Sequence, residues 1–377
     1  MSDCRRIYLA AAVSICVLVC GSCASSILKN GRAQEILKHE EFEKRLTIVE
    51  LPPEPSPNAS GLYVLLPGPE PEPEAFPPLR ATEVTKSDRL LRRKKKQEIS
   101  DVSTHNQVAT VPTPEESSPK AHEPALEDGE GFVGRRPAID PFQVGEKLTL
   151  EVSYFGVSGG EMVLEVRPFV KVNGRKSYHL VGTARSNSVF SMFYAVDDWF
   201  ETFIDYQTLV PSSYALHVKE SKQLRETRCL FDWTKMQATF WDKRIDVEQK
   251  VEERKFEWEI PQFSQNIFTA AHYLRNFQLT PGKKLAFLVA HEKENLTVTG
   301  EVLRREKLQT PIGELSTVVL KPKIELNGVF KPVGDVFVWL TDDDRKYIVR
   351  IESKIKIGTV VASLVNIQPG RAPAADE

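Results

Sequence analysis

Two runs of acidic side chains are the residues whose spacing first suggests chemistry. Asp342, Asp343 and Asp344 follow one another in WLTDDDRKY, and Asp197 and Asp198 are adjacent in YAVDDWF. Carboxylates bind metal ions or work as general acid and base, but a catalytic pair requires two carboxyl groups that converge and differ in pKa. Adjacency along the chain does not supply that arrangement. A calcium loop also needs spaced oxygens and a glycine, which the triplet lacks.

The aspartate triplet is predicted to be a turn. The stretches on either side, DVFVWL and YIVRIES, both alternate between apolar and other residues. Aspartate favours turns because its side chain bonds nearby backbone N–H groups. Arg345 follows the triplet and is expected to neutralise part of its charge. We therefore expect a hairpin turn here.

The second acidic run lies within a concentration of aromatic residues. An aromatic face beside a carboxylate is typical of sites for carbohydrates or apolar ligands, because the ring stacks and the carboxylate directs hydrogen bonds. The same residue types also form ordinary cores, so both interpretations stay open. The predicted ligand-binding residues are Phe190, Phe193, Tyr194, Asp197, Asp198 and Trp199.

Other motifs of catalysis, metal binding or cofactor binding are absent from the sequence. The histidines are scattered without zinc spacing, and there is no G-x-S-x-G, phosphate-binding loop or dinucleotide fingerprint. Cys229 lies outside the N-terminal group of cysteines and is expected to be a small buried hydrophobe. No metal or cofactor is predicted, and the formal charge of −2 gives no basic field for nucleic acid.

The elements that must position these residues begin near residue 139. EKLTLEVSYFG alternates with a period of two, which indicates a half-buried strand. Similar stretches, joined by glycine-rich or Asn-Gly turns, recur up to residue 368 and predict about fourteen short antiparallel strands. We expect a mainly β domain over residues 139–368, built as a barrel-like or strongly curved sheet, since closure removes exposed edges. Residues 369–377 are expected to be a disordered tail.

One helix is predicted to interrupt the strands, in SQNIFTAAHYLRNF. Ser264 is its expected N-cap. An apolar stripe at helical spacing predicts that the helix packs across the sheet or plugs it. The stripe consists of Ile267, Ala270, Ala271, Leu274 and Phe277.

The N-terminus has the pattern of an export signal. Two arginines precede an apolar run of roughly thirteen residues, which is too short to span a bilayer comfortably. Small residues stand directly before Cys23, as in a bacterial lipobox, although Cys20 occupies the position where Leu is usual. We expect residues 1–23 to be a signal peptide with lipidation at Cys23. Cleavage by an ordinary signal peptidase is the alternative.

A polar stretch rich in proline and glutamate separates the signal from the β domain. Residues 24–50 contain an amphipathic pattern around Phe42 that predicts one short helix. Residues 51–138 lack the apolar content to offset their ordering entropy and are expected to be a disordered tether. The basic run 89–96, RLLRRKKK, either contacts anionic lipid or cell-wall polymer or is a solvated or protease-sensitive charge run.

Long stretches from Ile139 to Ile367 resemble a bacterial envelope family catalogued as domain of unknown function 3108, DUF3108. The most specific parts are PFQVGEKL at the start and WLTDDDRKYIVRIESKIKIG at the end. The resemblance implies a β-rich, barrel-like exported domain, often in proteins with a signal peptide. The family has no established catalytic residues to carry over.

Three functions follow from these observations. The first is an exported envelope lipoprotein in the periplasm, held to a membrane by its lipid, whose tethered β domain binds a glycan, lipid or protein partner. The second is a hydrolase of envelope glycans that uses Asp197, Asp198 or residues 342–344, with carboxyl groups about 5–10 Å apart. The third is a structural component of an envelope assembly, which predicts a large exposed apolar patch.

Overall fold

The structure is a computed structural model that describes residues 39–52, 137, 139–326, 329–331, 335–354 and 358–371. The predicted signal peptide with Cys23, the basic run 89–96 and nearly all of the predicted tether lie outside the described residues, as do residues 372–377. Among the described helices, none has both the length and the apolar character needed to cross a bilayer.

The described residues form three short helices and sixteen strands, and sequence alternation becomes alternating burial. In residues 147–154, for example, Leu148, Leu150 and Val152 are buried while the residues between them are partly or fully exposed, because successive side chains of a strand point to opposite faces. In chain order the elements are α1 (Glu40–Arg45), β1 (Ile48–Glu50), β2 (Lys147–Tyr154), β3 (Val157–Val172), β4 (Arg175–Ser186), α2 (Ser188–Ser191), β5 (Asp197–Asp205), β6 (Pro211–Glu220), β7 (Gln223–Asp232), β8 (Gln237–Asp246), β9 (Val251–Glu259), α3 (Ala270–Leu274), β10 (Lys284–His291), β11 (Glu294–Thr310), β12 (Gly313–Leu326), β13 (Val329–Lys331), β14 (Val336–Thr341), β15 (Ile348–Lys354) and β16 (Thr359–Gln368).

All sixteen strands belong to one antiparallel sheet, which confirms the predicted mainly β architecture. The hydrogen-bonded order is β10-β11-β12-β14-β15-β16-β2-β3-β4-β5-β6-β7-β8-β9, with β1 attached to β3 and β13 to β12. Several strands are longer than the short ones expected, since β3, β11 and β12 have 16, 17 and 14 residues. The sheet is strongly curved and open, because β9 and β10 stand at opposite ends of this order.

Side chains join β9, at one end of the sheet, to the β10–β11 hairpin at the other end. The Trp258 indole of β9 donates to Oδ1 of Asn295 in β11 at 3.2 Å, and Asn295 Nδ2 donates to the Glu259 carbonyl at 2.9 Å. Nearby, Nη2 of Arg225 in β7 lies 2.5 Å from Oε1 of Glu292 in the β10–β11 turn. The two ends of the open sheet are therefore connected by polar side chains.

The helix expected from Ser264 is shorter than predicted and starts later. Its N-cap is Thr269, and the Ser264 hydroxyl bonds a nearby backbone carbonyl instead. Gln265 forms a parallel bridge with Val289 of β10, and residues 267–269 form a turn before α3. The N–H and carbonyl of Gln265, which the predicted first helical turn would have used, are therefore hydrogen-bonded to β10 at the edge of the sheet.

The predicted apolar stripe nevertheless faces the interior. Ile267, Ala270, Ala271 and Leu274 pack against the main core, and Phe277 is fully buried in it. These contacts confirm that the segment packs against the core of the sheet. Cys229 is completely buried in a second core cluster, as predicted for a small buried hydrophobe.

A buried ion cluster ties α3 to both ends of the β domain. Arg275 is fully buried, with Nη1 2.6 Å from Glu146 Oε1, and Arg345 Nη2 lies 3.1 Å from Glu146 Oε2. Burial by itself raises the pKa of Glu146, but the charge and hydrogen bonds of Arg275 outweigh burial and hold it below its ordinary value. Glu146 and Arg345 come from PFQVGEKL and WLTDDDRKY, so the two specific motifs meet here.

The aspartate triplet forms the predicted turn between β14 and β15. Asp343 Oδ1 accepts hydrogen bonds from the backbone N–H groups of Arg345 and Lys346 at 3.0 and 2.8 Å. Asp342 lies 2.8 Å from Arg305. Arg345 was expected to neutralise part of the triplet's charge, but its side chain turns toward Glu146 instead.

Residues 39–52, which we call the strap, dock on the outer face of the sheet, opposite the main core. Phe42 of α1 is buried edge-on against Trp241, with ring centroids 5.8 Å apart. Lys255 Nζ lies 2.7 Å from Glu41 Oε2. Strand β1 then pairs with the end of β3.

The strap changes the expected organisation of the chain. In the described part of residues 24–50, which is 39–50, the predicted helix is α1, and it belongs to the folded body. Fifteen residues, 24–38, therefore lie between Cys23 and the body. The sequence had suggested a spacer that extends to residue 138.

Candidate functional site

The six predicted ligand-binding residues lie in or just before β5, and the structure separates them. Asp197 and Trp199 are on the outer face of the sheet, whereas the alternate residue Asp198 projects to the opposite face. Asp198 is buried and accepts the Lys219 backbone N–H at 2.8 Å. Asp197 and Asp198 therefore do not converge as an acid–base pair.

Tyr194 belongs to the interior. It is 4% exposed, and its hydroxyl donates to Glu220 Oε2 at 2.8 Å. Burial and then the negative charge of Glu220 raise the pKa of the Tyr194 hydroxyl well above its usual range. Tyr194 is therefore an ordinary core residue, which is one of the two interpretations that the sequence had left open.

Trp199 lies in a groove on the outer face of β3, β4 and β5. The groove encloses about 620 Å³ of empty space, including the part open to solvent. Its floor is a partly exposed indole, with charged side chains on either side. We call it the Trp199 groove, and its lining residues are Arg167, Val181, Thr183, Arg185, Asp197, Asp198, Trp199 and Glu201.

Paired charges surround the indole. Arg185 Nε donates to Asp197 Oδ1 at 2.9 Å, and His179 Nε2 lies 2.6 Å from Glu201 Oε1. The Trp199 ring is 5.9 Å from the His217 ring and nearly parallel to it. Donors and acceptors therefore stand beside a flat apolar face, an arrangement that suits a ring carrying hydroxyl groups.

The sequence did not predict four polar members of the groove, which are Arg167, Thr183, Arg185 and Glu201. They come from three strands and meet through pairing, since Thr183 stands opposite Trp199. The register of the β4–β5 hairpin was the signal that would have found Thr183. Among the described residues, no three His, Cys, Asp or Glu side chains are placed to hold a metal ion.

Large apolar side chains are exposed where β2 joins β3 and where β4 joins β5. Each is between 61% and 73% exposed. We call this surface the apolar rim, and its residues are Phe155, Val157, Val189, Met192 and Phe193. Phe193, predicted to bind ligand, is thus a surface residue at the rim.

Phe190 lines a small apolar pocket just beside the rim. The pocket encloses about 450 Å³ of empty space, including the part open to solvent, and Tyr154 and Val196 are among its lining residues. Gly160 allows the close packing of β3 on β4 there, because a Cβ at this position would lie 2.2 Å from the Arg185 carbonyl oxygen. Phe190 and Trp199 therefore belong to different, neighbouring sites.

Comparison with known families and proteins gives one family match. A sequence model of DUF3108, described as a protein of unknown function, matches residues 149–365. Among curated proteins nothing matches.

Solved structures with some similarity to this chain come from three bacteria. A β-barrel-like protein of the DUF1849 family from Brucella abortus has 11% sequence identity and a TM-score of 0.39, covering 60% of this chain and 98% of its own. A provisionally assigned exported protein with a YmcC-like fold from Bacteroides fragilis has 10% identity and a TM-score of 0.27, covering 61% and 98%. A provisionally assigned lipoprotein from Parabacteroides distasonis has 10% identity and a TM-score of 0.25, covering 62% and 100%.

Proposed function

The chain belongs to the DUF3108 family of proteins of unknown function, and from that premise we propose that it is an exported, lipid-anchored envelope protein that binds saccharide units of an envelope glycan. Export and anchoring are supported by the signal-like start and the lipobox-like residues before Cys23. Saccharide binding is supported by the Trp199 groove.

The partly exposed indole at the floor of that groove is the observation that carries the proposal. A sugar ring places its C–H face on an aromatic ring and its hydroxyl groups at the ring edge. Arg185, Asp197 and Glu201 supply donors and acceptors at that edge. Such stacking with directed hydrogen bonds is the usual basis of ligand orientation in polar grooves.

Binding is a better account of this geometry than hydrolysis. Glycoside cleavage requires two carboxyl groups that face the same bond. Asp197 is bonded to Arg185, Asp198 is on the opposite face, and the triplet 342–344 forms a turn between β14 and β15. None of the acids considered from the sequence meets that requirement.

Calorimetric titration of the mature chain with a soluble disaccharide–peptide fragment of peptidoglycan tests the groove. We expect Trp199→Ala to weaken binding about tenfold, equivalent to roughly 1.4 kcal/mol, because the stacking face is lost. Lys171→Ala is the matched control, since Lys171 is exposed on β3 but outside the groove. Equal affinity of the Trp199→Ala chain and the parent contradicts the proposal.

Mass spectrometry of the mature N-terminus tests the anchor separately. We expect a diacylglycerol modification on Cys23, which Cys23→Ser abolishes. An unmodified N-terminus at another residue supports ordinary signal-peptidase cleavage and removes the lipid anchor from the proposed function.

A further inference from the structure

The apolar rim is built from two connections that contain no charged residue. Residues 154–160 read YFGVSGG and residues 186–196 read SNSVFSMFYAV. Surface connections are usually polar, and exposed apolar residues are usually scattered singly. Five large apolar side chains on two neighbouring connections therefore call for a physical reason.

Hydrogen bonds hold the two connections together with their apolar side chains outward. Asn187 Nδ2 donates to the Ser158 carbonyl at 2.8 Å, and the Asn187 N–H donates to the Gly159 carbonyl at 3.0 Å. Asn187 Oδ1 also caps α2 by accepting the Phe190 N–H at 2.8 Å. The rim is thus a fixed surface, since both of its parts are bonded to each other.

The strap begins at the same end of the sheet as the rim. Alternate connections of an antiparallel meander lie at one end, so the β6–β7 turn shares its end with the rim. The His39 imidazole bonds the Glu226 carbonyl, three residues after β7 begins. The strap then runs away from the rim, because Thr47 at its other part bonds Asn173 in the β3–β4 turn.

We propose that the apolar rim inserts into the surface of the membrane that carries the protein's own lipid anchor. The inference rests on the proposed anchoring at Cys23 and adds a second, non-covalent contact. Fifteen residues, 24–38, span at most about 50 Å when extended. A lipid on Cys23 therefore keeps the rim end of the sheet within reach of the bilayer.

Exposed basic residues flank the rim and suit an anionic membrane surface. Lys222 lies in the β6–β7 turn and Lys354 at the end of β15, whereas Arg185 at the end of β4 is paired with Asp197. Apolar tips with cations behind them are typical of proteins that lie in the interfacial region.

A second copy of the chain fits the rim less well than a bilayer. A stable protein interface buries about 800 Å² on each partner, whereas five side chains on two turns present on the order of a few hundred Å². Projecting tips enter a bilayer one by one and need no complementary surface.

Vesicle binding by unlipidated protein tests the inference. The mature chain carrying Cys23→Ser is mixed with phosphatidylethanolamine–phosphatidylglycerol vesicles and sedimented. We expect partition into the vesicle pellet, and at least a tenfold loss when Met192→Asp and Phe193→Asp are combined. Ile312→Asp is the matched control, because Ile312 is an exposed apolar residue in the β11–β12 turn, outside the rim.

A depth probe gives the second measurement. In Phe193→Trp, lipid addition should shift the added tryptophan emission to the blue and brominated lipid should quench it, while Ile312→Trp stays unchanged. Absence of vesicle binding, equal binding by the aspartate variant, or a dimer in solution that this variant dissociates each overturns the inference. The anchor is judged independently from the mass of native Cys23, so the two failures are distinguishable.

Discussion

His272 is buried beside the ion cluster of Glu146 and Arg275. Burial first, and then the charge of Arg275, lowers the pKa of His272 to about 4. In the unfolded chain the imidazole takes up its proton near pH 6.5. The unfolded state therefore binds more protons than the folded state between pH 6.5 and 4, and stability declines as the pH falls through this window.

We expect His272→Gln to remove its share of that acid-induced decline. A pKa difference of this size corresponds to on the order of 3 kcal/mol of unfolding free energy between pH 7 and pH 4. Urea unfolding at a series of pH values measures the slope. Burial also lowers the pKa of His291. The part of the acid-induced loss of stability that is due to His291 therefore remains in the His272→Gln variant.

His105→Gln serves as the control, because it makes the same chemical change outside the described residues. A parent protein equally stable at pH 7 and pH 4.5 contradicts the assignment. The same holds if His272→Gln and His105→Gln change the slope equally. Glu146 contributes at lower pH, since its depressed pKa means that its stabilisation is lost only when the carboxylate is finally protonated.

The strap is attached to the outer face through few buried side chains. Phe42 and Leu46 fill two small clusters on that face, one with Trp241 and one with Phe203. The other contacts are the backbone pairing of β1 with β3, side-chain hydrogen bonds, and ion pairs such as Glu41–Lys255, which are partly exposed and contribute little each. Docking of α1 therefore relies mainly on apolar burial.

Phe42→Ala is expected to release the strap without unfolding the sheet. Loss of the buried ring removes about 2 kcal/mol of docking free energy. Hydrogen exchange should become at least tenfold faster at β1, while the amides of β7 and β8 keep their protection.

Glu40→Ala is the matched change on the same helix, because the Glu40 side chain is 85% exposed. We expect it to leave exchange at β1 as in the parent chain. Faster exchange throughout β7 and β8 in Phe42→Ala, or no change at β1, contradicts the account of the strap as a separately docked element.

At the scale of the whole molecule, buried charges join the two ends of the open sheet. Asp242 accepts from Arg225 at 2.6 Å and from Arg254 at 2.5 Å, and Arg225 also bonds Glu292 in the β10–β11 turn. Removal of one partner from such a cluster leaves a buried charge incompletely paired. These ion pairs thus connect β7, β8 and β9 at one end of the sheet to the β10–β11 turn at the other end.

Glu292→Gln is expected to lower the unfolding free energy by roughly 3 kcal/mol, because Arg225 loses a charged partner in a buried setting. Glu253→Gln makes the same chemical change in an ion pair whose carboxylate side chain is 64% exposed, and should lower the unfolding free energy much less. Urea denaturation measures both. Similar losses of unfolding free energy in the two variants argue against a role of this cluster in holding the two ends of the sheet together.

Local signals in the sequence were sufficient for the strands and for the triplet turn. Alternation in β2 reports one buried face directly, and the turn at Asp343 depends on bonds to the next few backbone groups. Ser264 failed as a cap because the distant strand β10 competes for the backbone around Gln265. A local pattern cannot report such a competitor.

The candidate site was predictable only along one strand. Trp199 and Asp197 were found because they are close in sequence, and Tyr194 and Asp198 were included for the same reason although they face the interior. Arg167 of β3 joins the groove through sheet register alone. Contacts fixed by pairing, such as those of the strap with β3 and β8, need the fold before they can be seen.

The docked strap has a consequence for what a protease can achieve. Because residues 39–52 and the β domain are held together by contacts, a cut anywhere in residues 53–136 yields two fragments that remain associated. For a chain held by the lipid proposed at Cys23, nicking of that stretch would therefore not release the domain. Shedding would require a cut within residues 24–38 or the peeling away of Phe42.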